Sequence, residues 1–171
     1  RTDAPYCSPE YKDTVLVNSL FVANNIRRWL AQGYGQSTPA FLGEIPGLFR
    51  DGTLPVDVAI LNLSRPNEEG YCSFGVSADL AVSAVECART VIAQVNTAMP
   101  FSYGHVVIHL SRVAAAVEVD DPLVEVPSAT PTDIERRIGN HTAELIPDGA
   151  TLQIGVGGIP NSVLAALTGH K

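Results

Sequence analysis

The sequence predicts an α/β fold built from open, largely parallel sheets with flanking helices. Three observations carry that expectation. Residues 56–63, Val-Asp-Val-Ala-Ile-Leu-Asn-Leu, form a dense apolar and β-branched run, of the kind that fills a buried strand of a parallel sheet. A helical pattern at 77–89 separates it from a second apolar run at 90–95, giving a strand–helix–strand unit. Near the end, residues 152–167 read as strand, glycine turn and helix.

Taken in order, residues 1–15 are polar and proline-containing and read as loop. Over 19–32 the apolar positions Leu20, Ile26, Trp29 and Leu30 mark an amphipathic helix closed near Gly33. Glycine and proline punctuate 33–52, leaving one short helical turn at 45–49. The first strand leads into a turn-rich loop at 66–75. In the helix that follows, Asp79 suits the positive end, and Leu80, Ala84, Val85 and Ala88 line one face. Residues 106–110 and 113–119 continue as extended segments.

Composition changes at Asp120. Residues 120–131 hold three prolines, several acids and small polar residues, the make-up of a linker. Beyond it Thr132 and Glu135 form a capping box, and Ile134, Ile138 and Leu145 supply the apolar stripe of a helix. Pro147-Asp148-Gly149 ends that helix. A short strand is expected at 151–154, then Gly155-Val156-Gly157-Gly158, then a helix opened by Ile159-Pro160.

Bulk properties narrow the function. A chain of 171 residues supports one hydrophobic core, or one domain and part of a second. The net charge of -7 and the absence of a Lys/Arg cluster argue against a nucleic-acid partner. A small anion is still compatible, because local amides can hold it. The apolar runs are too short to span a bilayer, so no membrane partner is expected. Cys7, Cys72 and Cys87 lack metal-ligand spacing and read as reduced thiols of a cytoplasmic protein. No metal site is expected, and no Ser–His–acid order stands out. The glycosylation patterns at Asn62 and Asn140 carry little weight, because a three-residue match without supporting context is unspecific. The chain opens on Arg1 and closes at Lys171, directly after a unit that would feed another strand. A longer polypeptide is expected on that ground.

The glycine turn is the main chemical feature. Its glycines allow positive φ and close approach to the backbone. Pro160 suits a first helical position, where a missing N–H costs nothing. The free amides of the helix start then suit a phosphate, a carboxylate or a developing oxyanion. The spacing is neither a dinucleotide fingerprint nor a P-loop, and tight strand–helix packing without a ligand explains it too. Gln153, at the end of the expected strand, either points into a site or caps a neighbouring loop. His105 and His109 read as structural, His141 as solvated, and Arg27 and Arg28 as the exposed side of a helix with a buried Trp29.

The run from Ile146 to Leu164, IPDGATLQIGVGGIPNSVL, closely resembles a motif of the acetyl-CoA hydrolase/transferase family. That family includes 4-hydroxybutyrate, butyrate, acetate and succinate CoA-transferases. Upstream, LPVDVAI at 54–60, GYCSFGVS at 70–77 and VNTAMP at 95–100 are similar to successive family segments in the expected order. The resemblance covers nearly the whole chain. It implies two related α/β domains, residues 1–119 as most of the first and 132–171 as the start of a second, incomplete one, joined by the 120–131 linker. It also implies coenzyme A or acyl-CoA and small carboxylic acids as substrates, and a homodimer.

The implied reaction is a transfer of CoA through a glutamyl-CoA thioester, which splits one hard exchange into two easier ones. Gly155, Val156, Gly157, Gly158 and Ile159 match the family's CoA-binding turn, and Gln153 is a candidate for oxyanion support. The family's nucleophilic glutamate is expected beyond Lys171, so these residues alone are expected to be inactive. Two departures concern the loops: Asn67-Glu68-Glu69 replaces the usual Asp-x-His, and Phe101-Ser102-Tyr103-Gly104-His105 differs from the commoner form. The same scaffold also fits an acyl-CoA hydrolase, and a non-catalytic CoA-binding module is the alternative from another class.

Overall fold

The computed structural model describes residues 4–125 and 130–171, in two compact units, Arg1–Val124 and Glu125–Lys171. In the first unit, two proline-led 3-10 turns, Pro5–Cys7 and Pro9–Tyr11, precede β1 (Asn18–Ser19), α1 (Asn24–Ala31) and β2 (Gln36–Ser37). β1 and β2 pair in parallel. α1 starts later than its apolar pattern predicts, because Ser19 turns its hydroxyl onto the Phe21 carbonyl at 2.8 Å, a local bond that competes with helix. Gly33, at φ +82°, follows the helix end as expected. Ile26 packs with Ala4 and Cys7 in a small cluster bordered by Val17, Trp29 and Leu30.

The main core lies against a three-stranded sheet. α2 (Ile45–Arg50) precedes β3 (Val58–Leu63), β4 (Tyr71–Ser73), α3 (Ala81–Cys87), β5 (Thr90–Asn96), β6 (Val107–His109) and β7 (Ala115–Val119). The order β3-β5-β7 is parallel throughout, with Ile60 opposite Ile92 and Ile92 opposite Ala115. Ala59, Leu61 and Leu63 of β3 and Val91, Ala93 and Val95 of β5 meet Val85 of α3 and Ala88 just beyond its end. The fold is therefore α/β, with parallel strands and flanking helices.

Two expectations change here. β3 is not buried on both faces: its burial alternates, and Ile60 is 78% exposed. α3 covers only the face that carries Ala59, Leu61 and Leu63. The loop expected at 66–75 contains β4, which pairs antiparallel with β6 through Cys72 and Ile108. Its cause is local. Asn67 Oδ1 accepts from the amides of Glu69 and Tyr71 at 3.1 and 2.8 Å, and Gly70 takes φ +82°. That side-chain-closed turn returns the chain as a strand.

The second unit is a pair of helices, α4 (Asp133–Ala143) and α5 (Gly158–Ala166). The capping box opens α4: Glu135 N donates to Thr132 Oγ1 at 3.2 Å, and Thr132 N donates to Glu135 Oε2 at 2.7 Å. The buried residues are Gly139 and Ala143 on α4 and Ser162 and Val163 on α5. The expected stripe is displaced: Ile134, Ile138 and Leu145 are 69%, 38% and 84% exposed. Small residues win the contact because they let two helix backbones approach closely. Residues 151–154 form no strand, since no described segment of this unit offers a ladder partner. The expected linker at 120–131 includes 126–129, which lie outside the described residues.

Candidate functional site

The glycine turn joins the 151–154 segment to α5. Gly157 is the N-cap of α5 at φ +141°, a backbone region that side-chain-bearing residues rarely enter. Gly158 is the first helical residue, and Pro160 is the third rather than the first. The expected benefit of the proline survives the shift, because a third-position N–H has no intrahelical acceptor either. Asn161 N makes the first helical bond, to Gly157 O at 3.1 Å. Helix geometry therefore leaves the amides of Gly157, Gly158 and Ile159 without an intrahelical partner. The helix dipole adds partial positive charge at that end.

Space around the turn is uneven. A Cβ added at Gly155 would meet only Pro160 Cγ, at 3.7 Å, and one at Gly157 only Pro160 Cδ, at 3.9 Å. Gly157 is accounted for by its φ angle. Packing within the described residues does not account for Gly155. Val156 points fully into solvent, and Ile159 is 44% exposed. Gln153 is exposed, and its Nε2 donates to the Ile154 carbonyl at 3.3 Å.

Gly158 has a neighbour that the residue pattern did not bring to the turn. A Cβ there would overlap Oε1 of Glu135 and lie 2.7 Å from its Cδ. The Glu135 carboxyl is held below the usual carboxylate range by the bond from the Thr132 backbone amide, by the Thr132 hydroxyl and by nearby Arg136. The available signal was a pair of matching spacings: Glu135 and Gly139 are four apart on α4, as are Gly158 and Ser162 on α5. The capping box alone explains Glu135 locally and so concealed its second contact.

Other candidates resolve into structure. His109 Nδ1 accepts from Ser111 N at 3.2 Å, capping the 3-10 turn Leu110–Arg112, and its ring meets Tyr71 edge-on at 5.0 Å. Arg28 lies over the Trp29 ring at 4.3 Å. Within the atypical 101–105 loop, Ser102 N donates to the buried Ser73 Oγ at 2.9 Å, and that hydroxyl donates back to the Ser102 carbonyl at 3.0 Å. Two open clefts in the first unit, each of about 450 Å³, are lined in part by Val22, Phe41 and Glu44 and by Phe74, Asp79 and Met99. Neither gathers paired titratable groups. Among the described residues no helix is long and apolar enough to cross a membrane.

Residues 4–127 match the family model described as the acetyl-CoA hydrolase/transferase N-terminal domain. The chain is 46% identical over 154 residues to the 4-hydroxybutyrate coenzyme A transferase of Clostridium kluyveri, covering 90% of this chain and 36% of that protein. It is 37% identical over 171 residues to the succinyl-CoA:acetate/propanoyl-CoA:succinate CoA transferase of Fasciola hepatica, covering 99% of this chain and again 36% of the relative. The solved 4-hydroxybutyrate CoA-transferase of Porphyromonas gingivalis superposes with a TM-score of 0.78 at 43% identity, over 95% of this chain and 43% of that one. RipA from Yersinia pestis superposes at 0.86 with 31% identity, over 96% of this chain and 40% of that one. The chain thus spans roughly a third of the length of the curated relatives it matches, 36% for both above. With motifs in order, a matching fold and a match across most of its length, the chain belongs to the acetyl-CoA hydrolase/transferase family.

Proposed function

We propose that these residues form part of a CoA-transferase that moves coenzyme A between an acyl-CoA and a small carboxylic acid. In this reading Gly155, Val156, Gly157, Gly158 and Ile159 contact the CoA thioester substrate. Residues 1–119 belong to one CoA-transferase-type domain and 132–171 begin a second. The observation that carries the reading is the open backbone at Gly155, followed one residue later by the amides of Gly157, Gly158 and Ile159, which have no helical partner. A glycine that its own packing does not require fits the close approach of an outside group. Amides at a helix start fit an electron-rich oxygen, either a phosphate or the carbonyl of a thioester under attack. Gln153 is the weaker member of the set and is proposed as oxyanion support.

The chemistry that follows is covalent. A glutamate, supplied by polypeptide beyond Lys171, attacks the acyl-CoA carbonyl and releases CoA as thiolate. The thiolate returns to the acyl-enzyme anhydride, leaving a glutamyl-CoA thioester and freeing the first carboxylate. An incoming carboxylate then reverses these steps and leaves as the new acyl-CoA. Binding energy from the remote nucleotide end of CoA is available to hold the reacting thioester in place. The proposed partners are acyl-CoA, small carboxylic acids, the rest of the same polypeptide and, as the family resemblance implies, a second copy in a homodimer. The three unpaired thiols, Cys7, Cys72 and Cys87, fit a reducing cytoplasmic setting.

The test uses the complete open reading frame that contains these residues. Incubation with an acyl-CoA and acetate is expected to yield acetyl-CoA, followed by chromatography. Free CoA released at the same rate without acetate would instead identify a hydrolase, the second reading that the family's description supports. Binding without either product would leave only a CoA-binding module.

A further inference from the structure

α4 and α5 approach each other twice with one repeat. Glu135 lies against Gly158, and four residues on in both helices Gly139 lies against Ser162. The two contacts follow the same sense along both helices. Neither glycine has room for a side chain. A Cβ at Gly139 would come within 2.7 Å of the Ser162 carbonyl carbon and oxygen. At Gly158 the obstacle is not backbone but a carboxylate, and that carboxylate is itself tied down. Glu135 Oε2 accepts from Thr132 N at 2.7 Å and from Thr132 Oγ1 at 2.9 Å. One oxygen is held by the cap of α4, while the other rests at the first residue of α5.

We propose that Glu135 is a positioning residue for the glycine turn. Its carboxylate, fixed by Thr132, fills the place of a side chain at Gly158 and sets how far the amides of Gly157, Gly158 and Ile159 stand from α4. The capping box does two jobs: it starts one helix and gauges the start of the next. A free glutamate on a helix surface samples several rotamers, whereas one bonded twice to its own N-cap is a rigid spacer. The inference rests on the reading of this turn as CoA-binding, and it adds a residue outside the turn on which that binding depends.

The experiment is a double-mutant cycle in the complete open reading frame, comparing Glu135→Ala, Gly158→Ala and the two together, with Glu135→Gln as the conservative control. Affinity for CoA, KM for the acceptor carboxylate and hydrogen exchange at 155–159 are measured on each, with melting curves to verify folding. Each single alanine variant is expected to weaken CoA binding about tenfold, while the double variant recovers at least about threefold over Gly158→Ala because the new methyl enters the vacated space. Glu135→Gln, which keeps the volume, is expected to stay within about twofold of the parent. Acceptor KM should move less than CoA affinity in every variant. Losses that simply multiply in the double variant, or an acceptor KM that shifts as far as CoA affinity, would overturn the positioning role. A parent protein that binds CoA with no protection at 155–159 would instead overturn the reading of the turn and leave the helix-register effect measurable by melting alone.

Discussion

Gly75 and Met99 show how a single position in the first unit is constrained from two sides. Gly75 stands at φ +61°, and a Cβ there would overlap Met99 Sδ and lie 3.2 Å from the Pro100 carbonyl. Its amide donates to Ser73 Oγ at 3.0 Å, and its carbonyl accepts from Ser102 Oγ at 3.0 Å. Gly75→Ala should therefore meet left-handed strain and overpacking together, destabilising the protein by about 2–4 kcal/mol, which urea unfolding would measure. The cysteines give a second prediction at this scale. Cys7 and Cys72 are 2% and 0% exposed, and burial pushes both thiols up from their usual range, whereas Cys87 is partly exposed. Since the thiolate is the reactive form, iodoacetamide under native conditions should label Cys87 well before the other two. Mass spectrometry of the labelled peptides reads this directly, and equal labelling of all three would contradict the packing described.

The capping box of α4 sets the predictions at the scale of the element. Glu135 titrates below the ordinary carboxylate range because its ionised form accepts from the Thr132 amide and hydroxyl. A group whose folded pKa is depressed adds stability above its unfolded value, near pH 4.3, and loses it as pH falls through the lower folded value. Helicity of α4 should accordingly fall in acid below about pH 4, and Thr132→Ala should blunt that step while costing about 1 kcal/mol at neutral pH. Far-UV circular dichroism against pH tests both. The same element shows what was legible beforehand. Thr132 and Glu135 declare themselves by type and spacing, because a cap is a local interaction. The stripe of Ile134, Ile138 and Leu145 misleads, because periodicity says which face is apolar but not which face its neighbour takes. Gly139 carries no hydrophobic signal, yet it fixes the contact by what it lacks. β3 repeats the lesson: Val58 to Leu63 announces a parallel strand, while the covering of only one face depends on where α3 lands. Likewise 151–154 has the composition of a strand, but a strand exists only where a partner completes its hydrogen bonds. The glycine turn was legible because its backbone demands are written in residue type. Glu135's approach to it was not, because that contact is made in space between two helices.

At the scale of the whole molecule, the uncovered side of the β3-β5-β7 sheet is the main departure from an evenly wrapped α/β domain. Val58, Ile60, Ile92 and Val117 are 48%, 78%, 37% and 56% exposed on these strands. Parallel sheets ordinarily have both faces covered, and contiguous exposed apolar area marks a contact surface. The 171-residue chain by itself should bind an environment-sensitive dye such as ANS while retaining its helical and strand signal. Ile60→Lys should reduce that fluorescence and leave the melting temperature nearly unchanged, because the side chain it replaces faces solvent. An unaltered dye signal in that variant would place the apolar surface elsewhere.

Trp29 is the single tryptophan of the chain, and it sits beside the Ala4, Cys7 and Ile26 cluster rather than in the sheet core. Its indole Nε1 is buried and has no hydrogen-bond acceptor among the described residues. Loosening of this cluster would let water reach that N–H and shift the emission to the red. The chain thus carries a built-in optical reporter of its amino-terminal packing, separable from circular dichroism, which follows the helices and sheet as a whole.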